Sequence, residues 1–292
     1  MTGRLAIRHV TTYRYDSPVS YGLQQLRLTP KSRPGQQVLE WATHVSGGRI
    51  ETAFDDSHAN RVQLVSLDPG ATEVKVAAEG VVEVSDGSGV IGQQGGYMPL
   101  WMFLRSTDRT RRGPGIMGIA REVRQIQDQL ERMHALSAAV RAAVDYRTGS
   151  TGVEMTAEEV VSAGEGVCQD HAHIFIACAR TLDMPARYVS GYLKIDDRED
   201  QDATHAWAEA YVDGLGWVGF DISNGISPDE RYVRVATGLD YGDAAPIRGL
   251  RQGAGVESLE VNLTVKTRGQ SQSQSQQGDG ETLQEQTEGQ IH

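Results

Sequence analysis

Gly164-Glu165-Gly166-Val167-Cys168-Gln169-Asp170-His171-Ala172-His173-Ile174-Phe175-Ile176-Ala177-Cys178-Ala179-Arg180 is the stretch whose reading decides the fold. Two glycines make a flexible turn, and a helical pattern begins at the cysteine that follows them. Ala172, Phe175, Ile176, Ala179 and Leu182 recur at spacings of three and four, which is one buried face of a helix. Cys168 therefore falls in the first turn, where backbone N–H groups lack intrahelical acceptors and the positive end of the dipole favours an anion. Such a place favours the thiolate, the nucleophilic form of cysteine. By residue type alone a free cysteine is more often a small buried hydrophobe. The Gly-rich entry and the residues downstream point the other way.

The 292 residues suit one large domain or two ordinary ones. An apolar content of 39% and a charged content of 23% are those of a soluble globular enzyme. The formal net charge of −11 argues against a nucleic-acid partner, whose phosphates need clustered Lys and Arg. The basic run Arg105 to Arg112 is short and interrupted by Asp108, so it reads as a solvated loop. No segment has the roughly 20 apolar residues that span a bilayer, so no membrane partner is expected. Met1 to His9 has no apolar signal core, and the cytoplasm is the expected location. Cys168 and Cys178 share one helix about 15 Å apart, too far for a disulfide, and Cys178 reads as core. An absence of bridges fits a reducing compartment. Nothing in the chain calls for a cofactor.

Residues 1–98 read as a β-rich N-terminal domain. Strand-like runs occur at Leu5–Val10, Thr11–Tyr15, Leu26–Leu28, Leu39–Val45, Arg61–Ser66, Val74–Ala77 and Val81–Val84. Turn clusters such as Asp55-Asp56-Ser57 and Asp68-Pro69-Gly70 separate them. Residues 99–268 read as a catalytic core. Its helical pattern runs from Ile116 to Tyr146 through Ile119, Val123, Ile126 and Leu130, with a second helix at Met133–Val144 and a third at Ala157–Ala163. After the cysteine helix and Asp183-Met184-Pro185 come β-like runs at Arg187–Ile195, His205–Val212 and Trp217–Asp221. Asp213-Gly214-Leu215-Gly216 joins the last two as a hairpin, and Leu259–Val265 looks like a closing strand. Residues 269–292 are Gln-, Ser- and Glu-rich with nothing to build a core, so disorder is expected.

A cysteine nucleophile needs a base to take its proton and a third group to hold that base. His171, three residues on, could lie beside the thiol, whereas His173, five residues on, could not. His205 opens a strand in Thr204-His205-Ala206-Trp207, beside the acidic loop Asp196–Asp202. Asp221 closes the apolar run Gly216-Trp217-Val218-Gly219-Phe220, where an uncompensated buried carboxylate is costly. A hydrogen bond from an imidazole N–H would supply its compensation. Pairing Val212 with Trp217, however, sets Asp221 opposite Ala208, on the other face from His205. Bringing the two together requires a bulge or an altered register.

Four blocks in order resemble a known family: Gly166-Val167-Cys168-Gln169-Asp170-His171-Ala172-His173, Met184-Pro185-Ala186-Arg187-Tyr188-Val189-Ser190-Gly191-Tyr192, His205-Ala206-Trp207-Ala208-Glu209-Ala210-Tyr211-Val212 and Gly216-Trp217-Val218-Gly219-Phe220-Asp221. They look like the core of the bacterial transglutaminase-like superfamily, over residues 157–224. Ile7-Arg8-His9-Val10-Thr11-Thr12-Tyr13-Arg14-Tyr15-Asp16-Ser17-Pro18-Val19 is similar to the β-rich region that precedes this core in many bacterial members. The resemblance implies an α+β, papain-like fold, with a cysteine-bearing helix packed on an antiparallel sheet. It carries the nucleophile onto Cys168, the base onto His205 and the orienting carboxylate onto Asp221. Trp207 and Trp217 would wall the substrate pocket, and Asp170 and Glu209 would be supporting residues. Where many relatives have Asp-Pro-Thr, this chain has Asp221-Ile222-Ser223-Asn224, a change in the turn rather than the chemistry.

These residues point to acyl transfer from a protein or peptide substrate. Water as acceptor gives a cysteine peptidase or amidase. A lysine amine gives a cross-linking transglutaminase, and a catalytically silent binding module is a further alternative. Hydrolysis is favoured, because no Ca²⁺-binding loop of the EF-hand kind is visible. A metal site built from Cys168, Asp170, His171, His173 and His205 lacks a second well-spaced ligand pair.

Overall fold

Strand β1 (Thr2–Tyr15) unites the two runs expected at Leu5–Val10 and Thr11–Tyr15. In the computed structural model, which describes residues 2–93, 98–149, 151–152, 154–195, 199–201, 203–252 and 256–268, it is paired on both sides. Its neighbours are β6 (Glu73–Ser85) and the closing strand Glu257–Thr267, and two continuous ladders leave no reason to break it. β6 likewise joins Val74–Ala77 to Val81–Val84. Gly80, inside it, lies where a Cβ would come within 2.1 Å of the Glu40 carbonyl oxygen, so the close approach of β3 (Gln36–Ser46) needs a glycine there.

The second N-terminal sheet contains β2 (Tyr21–Thr29), β4 (Gly48–Asp55) and β5 (Arg61–Leu67). Strand β4 escapes sequence reading because its side chains are mostly exposed and show no apolar alternation. Tyr13, Tyr15, Leu26, Leu28, Val65, Val74 and Val76 fill the space between the two sheets.

A short strand β7 (Val90–Gly92) leads toward the helices. The helical pattern expected from Ile116 forms α1 (Pro114–Val123) and α2 (Gln129–Ala143), the second beginning four residues before the expected Met133. Asp128 ends the continuity: its side chain accepts from the Glu131 N–H at 2.8 Å and caps α2. β8 (Asp145–Tyr146) pairs in parallel with β9 (Glu165–Gly166), across α3 (Ala157–Ala163). Glycine ends α3 as the sequence suggests, with Gly164 left-handed at φ 75°.

Helix α4 (Cys168–Thr181) is buried from Asp170 to Arg180 and forms the hydrophobic centre with α1, α2, α3 and one face of a sheet. That sheet runs in the order β14 (Tyr232–Gly238), β10 (Ala186–Leu193), β12 (His205–Val212), β13 (Gly216–Phe220), β7. Ala206, Ala208, Ala210, Val218 and Phe220 face α4. At the far end of α4 the buried Arg180 guanidinium donates to the carbonyls of Phe103, Ala186 and Leu239 and to Thr110 Oγ1. A cation there also suits the negative end of the helix dipole.

The chain then returns to the N-terminal sheets. After α5 (Tyr241–Ala244), β15 (Ile247–Gln252) pairs with β2, and β16 (Glu257–Thr267) pairs with β1 and with β11 (Asp200–Gln201). The edge of β14 is covered by two side-chain amides from the N-terminal region. Gln36 bonds both N–H and C=O of Arg234, at 2.9 and 3.0 Å, and Asn60 bonds both groups of Thr237, at 2.8 Å each. Each amide imitates a strand's ladder, which satisfies backbone groups that an open edge would leave bare. The architecture is α+β with a β-rich N-terminal region, as expected. The tail at 269–292 and part of the Asp196–Asp202 loop lie outside the described residues.

Candidate active site

Cys168 occupies the first position of α4, following Val167, whose extended backbone delivers the chain into the helix. The first intrahelical bond runs from the His171 N–H to the Val167 carbonyl at 3.0 Å. The N–H groups of Cys168, Gln169 and Asp170 therefore have no acceptor within the helix. The buried Asp170 carboxylate fastens this entry, accepting from the Val167 N–H at 2.9 Å and from Thr151 Oγ1 at 2.6 Å. Gly166 allows it: a Cβ there would lie 3.0 Å from the Asp170 Cβ and 2.9 Å from a Val160 methyl. Cys168 is half-buried, whereas Cys178 is fully buried in the core, where burial pushes its thiol up.

The hairpin register decides which face carries Asp221. Val212 pairs with Gly216 rather than with Trp217, and Ala208 pairs with Phe220. Gly216 makes this tighter turn possible because it sits at φ 82°, and its missing side chain lets Gly92 approach. The one-residue slip moves the whole of β13 to the opposite facing, which sets Asp221 on the side of His205 and Trp207. The Asp221 backbone then leaves the ladder and bridges to Ile226.

His205 donates from Nε2 to Asp221 Oδ2 at 2.6 Å. The same oxygen accepts from Tyr232 Oη at 2.7 Å and from Asn224 Nδ2 at 2.7 Å, while Oδ1 accepts from the Asn224 N–H at 3.2 Å. Burial alone would raise the Asp221 carboxyl, but these donors, led by His205, hold it below its ordinary value. Asp221 is thus a wholly buried carboxylate whose charge is compensated. The Cys168 thiol lies close enough to the His205 ring to raise its affinity for a proton. Burial works against charge on the imidazole, yet the hydrogen bond to Asp221 and the attraction of Asp221 and the Cys168 sulfur outweigh it and hold His205 at about 10. With Nε2 committed to Asp221, Nδ1 is the nitrogen left for the thiol. Trp207 stacks on the His205 ring at 6.2 Å between centroids and meets Tyr232 edge-on at 5.5 Å.

The structure brings Cys168, His205, Asp221 and Trp207 together. It does not bring Trp217 to them. Trp217 lies opposite Tyr211, six residues along β12 from His205, roughly 20 Å at the rise of a strand. It packs there against Phe103 and beneath the Arg187 guanidinium, 3.8 Å from its ring. Trp217 therefore walls a different part of the molecule, and its expected placement in a pocket with Cys168 is corrected.

His171 is also elsewhere engaged, donating from Nε2 to the Val144 carbonyl and accepting at Nδ1 from Ser223 Oγ. His173 accepts from the Tyr241 N–H at 3.1 Å, and burial depresses it to about 3. The set Cys168, Asp170, His171, His173 and His205 is thus dispersed over separate hydrogen bonds. Among the described residues no group of three or more His, Cys, Asp or Glu side chains could hold a metal ion. No helix among them is long and apolar enough to cross a membrane.

Sequence reading missed Tyr232 and Asn224, both on Asp221. Asn224 was available as a signal: three residues after an aspartate, its amide caps the turn that replaces Asp-Pro-Thr. Tyr232 comes from a separate strand, and local spacing could not reveal it.

Residues 118–222 match the transglutaminase-like superfamily, and residues 5–83 match the bacterial transglutaminase-like N-terminal region. The chain is 27% identical over 287 residues to an uncharacterised protein of Mycobacterium leprae, covering 90% of this chain and 98% of the relative. It is 28% identical over 275 residues to an uncharacterised protein of Mycobacterium tuberculosis, covering 85% and 88%. Its fold is similar to the crystal structure of a candidate cysteine protease from Cytophaga hutchinsonii, with a TM-score of 0.74, 23% identity and coverage of 91% of each chain.

Proposed function

With a transglutaminase-like core behind a bacterial transglutaminase-like N-terminal region, the chain belongs to the transglutaminase-like superfamily, and we propose that it is a cysteine-nucleophile acyl-transfer enzyme that hydrolyses amide bonds. The observation that carries this reading is the placing of the Cys168 thiol beside His205, whose ring is hydrogen-bonded to the buried Asp221.

In this mechanism the proton of Cys168 rests on His205 as an imidazolium, which Asp221 stabilises and orients. The Cys168 sulfur attacks the amide carbonyl carbon, and its electron pair moves onto oxygen. The free N–H groups at the start of α4 suit that oxyanion. His205 returns the proton to the leaving amine as the C–N bond breaks, leaving a thioester on Cys168. Water then enters, His205 removes its proton, and the carboxylic acid departs as the thiol is restored. Peptide, isopeptide and side-chain amides all satisfy this chemistry.

Water is favoured over an amine as acceptor because the nucleophile is open to solvent. Cys168 is partly exposed, and Tyr146, close enough to feel its charge, is 53% exposed. Preserving a thioester for an amine requires that water be excluded.

Incubation with a glutamine peptide and a primary amine tests the reading. Release of ammonia or of a cleaved peptide without amine incorporation is expected, and Cys168→Ala abolishes it. Amine incorporation exceeding hydrolysis would overturn the choice of acceptor. Undiminished turnover in Cys168→Ala would overturn the mechanism.

A further inference from the structure

On the same face of the central sheet as His205, Glu209 lies fully buried among three arginines. Arg187 donates to it from Nε at 2.5 Å, and Arg234 clasps it with Nε at 2.7 Å and Nη2 at 3.1 Å. Arg33, from the loop before β3, adds its charge to the same group. Three guanidiniums face one carboxylate. Among the described residues the neighbouring acids do not redress this: Asp55 pairs with Lys31, Asp56 with Arg27 and Asp229 with Arg231.

The donors are in excess as well as the charge. Glu209 has both oxygens occupied, and among the described residues Arg33 Nε and Nη1 and Arg187 Nη2 are buried with no hydrogen-bond partner. Buried guanidinium donors left unpaired are costly, and burial accordingly depresses both Arg33 and Arg187. A cavity of about 370 Å³ opens beside them, lined by Arg33, Arg187, Arg234, Lys31, His58 and Asn60. Its walls come from loops of the N-terminal region and from the central sheet.

We propose that this cavity is a binding site for a dianionic tetrahedral oxyanion, of the phosphate class. Two uncompensated positive charges match a dianion, and the forked donors of arginine match its oxygens in pairs. Arg33 is the residue that distinguishes the site from a simple structural ion pair. It supplies two of the three unpartnered donors, and Glu209 retains Arg187 and Arg234 without it. The site stands independently of the catalytic reading, since none of its side chains touches Cys168, His205 or Asp221 in any hydrogen bond described above.

The test is thermal unfolding of the full chain at pH 8 with millimolar inorganic phosphate, compared with acetate at matched ionic strength. Saturation is expected to raise Tm by about 5 °C in the wild type. In Arg33→Gln the phosphate-dependent rise falls to about 1 °C or less, and Arg33→Lys, which keeps the charge without the fork, lies between. An equal rise in Arg33→Gln would mean a general salt effect and overturn the site. An equal rise with acetate would overturn the dianion assignment. Calorimetric titration of the wild type with phosphate is the second measurement: one saturable site is expected, and no binding heat at any temperature tried would overturn the proposal.

Discussion

Asp221 and Glu209 are two buried carboxylates on one face of one sheet, yet their partners differ in kind. Asp221 is held by a histidine, a phenol and an amide, of which only the histidine carries a proton it can give up and regain in a reaction near neutral pH. Glu209 is held by arginines, which stay charged throughout that range. The first arrangement can move a proton and the second cannot. Four residues of strand, about 13 Å, separate His205 from Glu209, so proton chemistry and permanent charge are kept apart along β12.

Replacing the two carboxylates by their amides gives the largest contrast. Asp221→Asn is expected to lower kcat by ~10³-fold or more, because His205 loses both its orientation and the stabilisation of its charge. Glu209→Gln is expected to leave turnover per folded molecule within about threefold. Steady-state kinetics on protein checked for folding decides this. A loss in Glu209→Gln as large as that in Asp221→Asn would break the distinction.

Stability should show the reverse weighting. Truncating Glu209 to alanine leaves Arg187 and Arg234 buried without their anion and is expected to cost about 3–5 kcal/mol in denaturant unfolding. A cost below about 1 kcal/mol would mean that water reaches the cluster freely.

The pH dependence separates the two ends. His205 binds its proton more tightly folded, at about 10, than unfolded, near 6.5. Its contribution to stability is complete below 6.5 and is lost as pH rises toward 10. Glu209 is opposed by burial but held down to about 2 by Arg187, Arg234 and Arg33, against 4.5 unfolded. Its contribution is complete above 4.5 and is lost as pH falls toward 2. His205→Gln should flatten the alkaline limb of the stability profile, and Glu209→Gln the acid limb. Flattening of the same limb by both variants would contradict the assignment.

Tyr232→Phe is the smallest test. It removes one of the donors on Asp221 and should lower kcat about tenfold, a loss of roughly 1.4 kcal/mol. An unchanged rate would show that His205 and Asn224 hold Asp221 by themselves.

Much of this site is legible in the chain. Helical periodicity puts Cys168 at a helix start, and the two apolar strands put His205 and Asp221 at strand ends. The face carried by Asp221 was not legible, because it depends on whether Gly216 or Trp217 answers Val212. A left-handed glycine decides that, and strand alternation alone cannot see it. Trp217, which the resemblance sets at the pocket, is a related case. Its proximity in sequence to Asp221 conceals the fact that the strand carries it away from His205. In the fold, β4 lacks alternation because its faces are exposed, and the amide clasps of Gln36 and Asn60 on β14 join residues about 177–198 positions apart.

Alkylation of the two cysteines tests the central claim most directly, because it needs no substrate. Iodoacetamide at neutral pH, followed by peptide mass spectrometry, should label Cys168 and spare the buried Cys178. His205→Ala should slow the labelling of Cys168 by about 100-fold. An equal rate in wild type and His205→Ala would contradict the account, since the thiol would then owe its reactivity nothing to the histidine beside it.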